Sequence, residues 1–156
     1  SLDTGVLDAA DWVGPYDDEI LGLYNAATYY YMPSWAEPGA SLAVYMNRSV
    51  YNDLPSDIRE AFHAASARAN QQMLADYYAK NNAALARMVA NGVQVRTMSD
   101  EILNALYDAT LEIHAENSQG NDLYQRVLEN YNAFMEGARE WNRLSGYSYA
   151  NYVYNK

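Results

Sequence analysis

Asp11-Trp12-Val13-Gly14-Pro15-Tyr16, with its downstream counterpart Pro33-Ser34-Trp35-Ala36-Glu37-Pro38-Gly39, is the stretch on which the reading of this chain turns. Each segment sets a tryptophan and a carboxylate beside Pro/Gly turns, where the proline ring locks φ and glycine permits tight bends. An aromatic wall and an anionic oxygen held on stiff backbone are the elements of a small-ligand pocket.

Outward from these turns, residues 1–53 read as α/β. Short apolar runs at Val6–Ala10, Thr28–Met32 and Leu42–Met46 predict strands. Between the first two, Asp17 to Tyr24 predicts a helix whose acidic start (Asp17, Asp18, Glu19) suits the positive end of the helix dipole. Tyr29, Tyr30 and Tyr31 alternate in direction if extended, which sets Tyr30 opposite the other two.

From Pro55 the period becomes helical, with Ile58, Phe62, Ala65, Ala69, Met73, Tyr77, Leu85 and Met88 on one stripe. Asn91-Gly92 supplies a left-handed stop. A helix of that span is about 50 Å long, so a bend, a break near Asn81-Asn82 or a run across two lobes is expected. Val93 to Arg96 alternates as a strand. Ser99 can cap a helix bearing Ile102, Leu106 and Ile113. Ser118 to Asn121 reads as a break, and a last helix carries Leu123, Val127, Tyr131, Phe134, Ala138 and Trp141. The tail from Tyr147 to Lys156 reads as partly extended or disordered. Residues 1–53 thus form an α/β pocket segment and residues 54–156 a helical segment with a strand near 93–96.

Composition narrows the function. The 156 residues carry a net charge of −10, which argues against nucleic acid and anionic membranes, since both need clustered Lys and Arg. No cysteine is present, removing disulfides and thiol catalysis. No run of about 18 apolar residues spans a membrane. Half the residues are apolar, but 16 of them are tyrosines with polar tips. No nucleophile is paired with a base, and no Gly-rich phosphate cradle follows a strand. His63 and His114 stand isolated on helices, and Ser145 and Ser148 have no nearby base. Asp17-Asp18 and Asp100-Glu101 fit helix starts better than paired catalytic acids, so no catalytic residue is assigned. Asn47-Arg48-Ser49 matches a glycosylation acceptor, a triplet that also arises by chance.

An ordered series runs through Gly5 to Ala10, Asp11 to Tyr16, Leu21 to Tyr24, Tyr29 to Tyr31, Trp35 to Gly39, Asn47, Leu54-Pro55, Asn91 to Val93 and the terminal helix with Tyr131, Phe134 and Trp141. It resembles the extracytoplasmic solute receptors of tripartite ATP-independent periplasmic (TRAP) transporters, in the branch that binds 2-oxo and hydroxy acids. The resemblance implies one lobe of a two-lobed periplasmic-binding-protein-like fold, short strands followed by long helices. It implies a periplasmic solute-binding protein that hands a small organic acid to membrane permease subunits. Members of this family run to roughly twice the present length, which implies a carboxyl-terminal half with Ser1 to Thr4 as a fragment boundary. The arginine that clamps the ligand carboxylate in the family would then lie in the other half. The stripe on the last helix is expected to pack on its own lobe; because the family's terminal helix can be exchanged between subunits, a homodimer through this helix is the alternative the resemblance implies. The competing expectation is a helical homodimerisation module with no ligand role.

Carried over residue by residue, the resemblance implies a cation held by the side chain of Asp11, the backbone carbonyl of Trp12 and the side chain of Glu37. The twenty-five positions from Trp12 to Glu37 agree with the family pattern, while a shorter Asp stands at position 11 where Glu is common. If these carboxylates converge with an anionic ligand, each close pair of like charges costs roughly 4 kcal/mol at an effective dielectric near 20. A cation answers that cost, and hard oxygen donors favour sodium or calcium over zinc or copper. Trp12, Tyr16, Trp35 and Glu37 are the expected ligand-contacting residues, with Tyr16 a hydroxyl donor. Tyr16 and Asp17 stand near a place where the family often has Asn.

Overall fold

The computed structural model describes residues 1–35 and 42–156. In chain order these form α1 (Pro15–Leu21), a 3-10 turn (Leu23–Asn25), β1 (Tyr29–Met32), α2 (Arg48–Asp53), α3 (Ser56–Ala90), β2 (Gln94–Thr97), α4 (Asp100–Ser118), α5 (Asp122–Leu144) and α6 (Gly146–Tyr154). They fall into two compact units, Ser1–Ser99 and Asp100–Lys156. Glu37 and its neighbours in the second turn lie outside the described residues.

In the first unit the long helix is a crossover between two parallel strands. Tyr29 pairs with Gln94 and Met32 with Thr97, and the ladder is extended by Gln94 N–H to Thr28 O and Met98 N–H to Met32 O. Parallel strands need such a crossover because a tight turn reverses the chain and yields an antiparallel pair. At 35 residues, α3 is about 52 Å long. It runs unbroken through Asn81-Asn82, because residues 56–90 are alanine-rich and contain no Gly or Pro to interrupt the ladder. Its C-terminus closes as the sequence predicts. Gly92 takes φ 100°, Val93 N–H returns to Met88 O and Asn91 N–H to Arg87 O, satisfying carbonyls that would otherwise be orphaned.

The small core lies where α1 packs on the second half of α3. Ala84 and Met88 are 0% and 1% exposed, and Val93, delivered by the Gly92 turn, is 5% exposed. Pro15 at the first position of α1 is also buried. Gly22 ends α1 at φ 70°, its N–H bonded to the carbonyls of Asp18 and Glu19.

In the second unit, Asn121 caps α5 by accepting from Tyr124 N–H at 3.1 Å. Tyr124 Oη meets His114 Nδ1 at 2.7 Å and ties α4 to α5. His114 therefore has a structural partner.

Three local expectations are corrected. Residues 6–10 and 42–46 form no strand. A strand is held by a ladder to a neighbour, no pairing of either segment occurs among the described residues, and Val6 and Val44 stand 75% and 72% exposed. The tail is α6 as far as Tyr154. With no strand beside it, a helix satisfies its backbone locally, starting with Tyr149 N–H to Ser145 O. The architecture as a whole is the expected one, short paired strands followed by long helices.

Candidate functional site

Asp11 to Tyr16 is the approach to α1, and the start of that helix is unusual. Its N-cap is Gly14, which has no side chain to satisfy the free N–H groups of the first turn. The acceptor comes from α3 instead: Tyr16 N–H donates to Asn81 Oδ1 at 3.0 Å. Asp18 N–H closes the turn on Gly14 O at 2.9 Å. Lys80, next to Asn81, places Nζ 5.0 Å from the centre of the Tyr16 ring and 3.1 Å from Asp76 Oδ2. Two consecutive residues of the long helix thus hold the backbone and the ring of Tyr16. Beside them runs an open groove of about 380 Å³ lined by Tyr16, Gln72, Met73, Asp76, Tyr77 and Lys80.

Further along α1, Asp18 is only 5% exposed. Its Oδ2 accepts from the Tyr30 hydroxyl of β1 at 2.6 Å, while Oδ1 is buried without a hydrogen-bond partner among the described residues. Burial pushes the Asp18 carboxyl up, the Tyr30 bond opposes that shift, and the charges of Asp17 and Asp11 reinforce it. Burial, followed by the bond to Asp18, drives the Tyr30 phenol well above its ordinary value. The Tyr77 phenol is raised by its hydrogen bond to Asp17. On the exposed side, Arg87 Nε and Nη2 donate to Glu19 Oε1 and Oε2 at 2.7 and 2.5 Å. Segment 11–16 therefore leads into a helix anchored to α3 at both ends and to β1 in the middle.

Asp11 and Trp12 are exposed, Trp12 by 56%, whereas Tyr16 and Trp35 are half-buried. The charge of Asp11 reaches both Asp18 and Tyr30, so the carboxylate expected to hold a cation lies in the field of the acidic start of α1. Among the described residues no three His, Cys, Asp or Glu side chains converge as a metal site. The donor set carried by Asp11 and the Trp12 carbonyl is hard oxygen, which suits sodium or calcium. Trp35 follows β1 by three residues and is the last described residue before Ala36. Sequence reasoning missed Asn81 as a partner of this segment. The available signal was a helix beginning with Gly-Pro, which has no side-chain cap of its own.

The family described as bacterial extracellular solute-binding protein, family 7 (DctP), matches residues 1–120. The monocarboxylate 2-oxoacid-binding periplasmic protein of Nostoc sp. is 42% identical over 153 residues, covering 98% of this chain and 42% of that protein. Among solved structures, a TRAP transporter solute binding protein from Bordetella bronchiseptica RB50 superposes with TM-score 0.94 at 35% identity, over 99% of this chain and 46% of that one. It is a mixed occupancy dimer with copurified calcium and picolinate in a bound active site versus an apo site. A TRAP periplasmic solute binding protein from Pseudoalteromonas atlantica T6c, with sodium and pyruvate bound, gives TM-score 0.88 at 27% identity over 96% of this chain and 46% of its own. The chain spans less than half the length of each of these proteins. Among the described residues no helix is long and apolar enough to cross a membrane. With the family matched over more than half its residues, the chain belongs to the bacterial extracellular solute-binding proteins of family 7, a family of solute receptors.

Proposed function

We propose that this chain is the part of a periplasmic TRAP-type receptor that presents the cation and one wall of the ligand site, capturing a small 2-oxo or 2-hydroxy carboxylate. The observation that carries this reading is the 0.94 TM-score to a receptor holding calcium and picolinate, joined to an exposed Asp11-Trp12 pair that leads into a helix start bonded to α3. In this proposal Asp11, the Trp12 carbonyl and Glu37 hold a sodium or calcium ion. Trp12, Tyr16 and Trp35 line the ligand, with Glu37 at the cation edge. The ion, when bound, supplies the positive charge that lets an organic anion approach two carboxylates. Trp12 excludes water from that contact, which strengthens it. The permease subunits of the transporter are the proposed partner for the loaded receptor.

Titration calorimetry of the receptor containing this chain, with pyruvate in the presence of sodium or calcium, tests the reading. Binding that needs one of these cations supports it; pyruvate binding with equal affinity in the presence of a chelator and the absence of sodium refutes the bridge.

A second reading, self-association, has its own observation. Leu123, Val127, Phe134 and Trp141 on α5 are 61–71% exposed on one amphipathic face, and such a face needs cover. The proposed cover is a second copy of the chain.

A further inference from the structure

We infer that Asn81 of the long helix is a positioning residue for the ligand segment, acting through the backbone of Gly14 to Tyr16. The inference rests on the proposed ligand role of Asp11 and Trp12. A helix start leaves its first N–H groups unsatisfied, and a polar side chain at the N-cap normally accepts from one of them. Gly14 provides none. Asn81 supplies the acceptor from 65 residues away in sequence, at 3.0 Å from Tyr16 N.

The fit is close around it. A Cβ at Gly14 would lie 3.6 Å from Asn81 Oδ1, within ordinary van der Waals contact, so the amide sits against the start of the helix. Pro15 is buried beside it, and Lys80 holds the Tyr16 ring at 5.0 Å. The 35-residue helix that carries Asn81 is a rigid reference, fixed to α1 again by Arg87 and Glu19.

Capping in trans has a consequence that capping by a local residue does not. The turn that carries Asp11 and Trp12 is referenced to α3 and keeps its place only while α3 keeps its own. Without the acceptor, α1 retains its core contacts through Pro15, but residues 12–16 lose the bond that sets their direction.

The test compares three variants of the receptor containing this chain. Asn81→Ala removes the acceptor, Asn81→Asp retains an acceptor oxygen, and Met88→Ala truncates the same helix inside the core without touching the turn. Amide hydrogen exchange is followed at Tyr16, and pyruvate affinity is measured with sodium and with calcium. For Asn81→Ala we expect faster exchange at Tyr16 and its neighbours and affinity weakened by roughly tenfold, the loss expected of one helix cap. Asn81→Asp should restore both to within about threefold of the parent. Met88→Ala should lower the melting temperature at least as much as Asn81→Ala while leaving affinity within about twofold.

Unchanged Tyr16 exchange in Asn81→Ala overturns the inference, as does an affinity loss no greater than that of Met88→Ala, or failure of Asn81→Asp to recover. A parent receptor that binds no pyruvate with either cation overturns the ligand reading instead; the exchange measurement still decides whether Asn81 orders the turn.

Discussion

The Tyr30 hydroxyl on β1 and Asp18 Oδ2 on α1 are 2.6 Å apart, and this one bond links the strand that precedes Trp35 to the helix that follows Asp11-Trp12. Asp18 is nearly inaccessible, so the phenol is the side-chain donor that compensates for burying its carboxylate. A buried acceptor stripped of its donor costs about 1–3 kcal/mol, and more when it is charged.

Tyr30→Phe is therefore expected to destabilise the fold by about 1–3 kcal/mol at neutral pH, with a definite pH dependence. Burial holds the Asp18 carboxyl above its ordinary value. Its contribution to stability is full below the ordinary carboxylate value of the unfolded chain and is lost as pH rises through the raised folded value. Removing the Tyr30 bond takes away an influence that lowers the folded value, so the loss grows. Urea unfolding at pH 4 and pH 7 should show a wider gap between parent and variant at pH 7; an equal or wider gap in acid contradicts this assignment. Asp18→Asn should flatten the pH dependence across the same window.

At the proposed cation site, Glu37→Gln and Asp11→Asn should each weaken pyruvate binding, because each replaces an anionic oxygen with a poorer ligand for a hard cation. A loss of tenfold or more is expected, or about 1.4 kcal/mol, and raising sodium or calcium should recover part of it. Calorimetry across a cation titration reads this, and affinity indifferent to both substitutions removes these residues from the site.

The end of α1 gives a purely conformational prediction. Gly22 sits at φ 70°, and a Cβ there would come 3.0 Å from Asn25 Nδ2. Gly22→Ala should cost about 1–2 kcal/mol through the left-handed backbone alone, with somewhat more from the Asn25 contact. Thermal denaturation checks it; a stability equal to the parent's would mean that the turn relaxes elsewhere.

The exposed face of α5 predicts self-association. Replacing Phe134 and Trp141, 71% and 68% exposed, with serine should shift the receptor from dimer to monomer by light scattering while leaving its helical circular dichroism intact. A parent that is monomeric at micromolar concentration sinks the expectation outright.

Much of this architecture was legible because it is written in local chemistry. The helical stripe from Ile58 to Met88, the Asn91-Gly92 stop, the alternation at 93–96, one residue ahead of the observed strand, and the break after Ser118 all depend on period and on backbone freedom within a few residues. The failures have the opposite character. Val6–Ala10 and Leu42–Met46 carry strand composition, but a strand exists only where another supplies its ladder. Asn81-Asn82 looked like a weak point in a long helix because its partner, 65 positions earlier in the chain, cannot be seen from its own neighbours.

Read alone, the residues were enough to establish an acidic chain with short strands and long helices and a resemblance to solute receptors, because side-chain periodicity, turn chemistry and motif order are properties of nearby residues. Only tertiary structure decided that the first turn is capped by Asn81, that Asp18 is buried against Tyr30 and that Lys80 lies over the ring of Tyr16. Each of those contacts joins elements distant in the chain, and the bond of buried Asp18 to Tyr30 gains its worth only after packing has excluded the water that would otherwise satisfy the same groups.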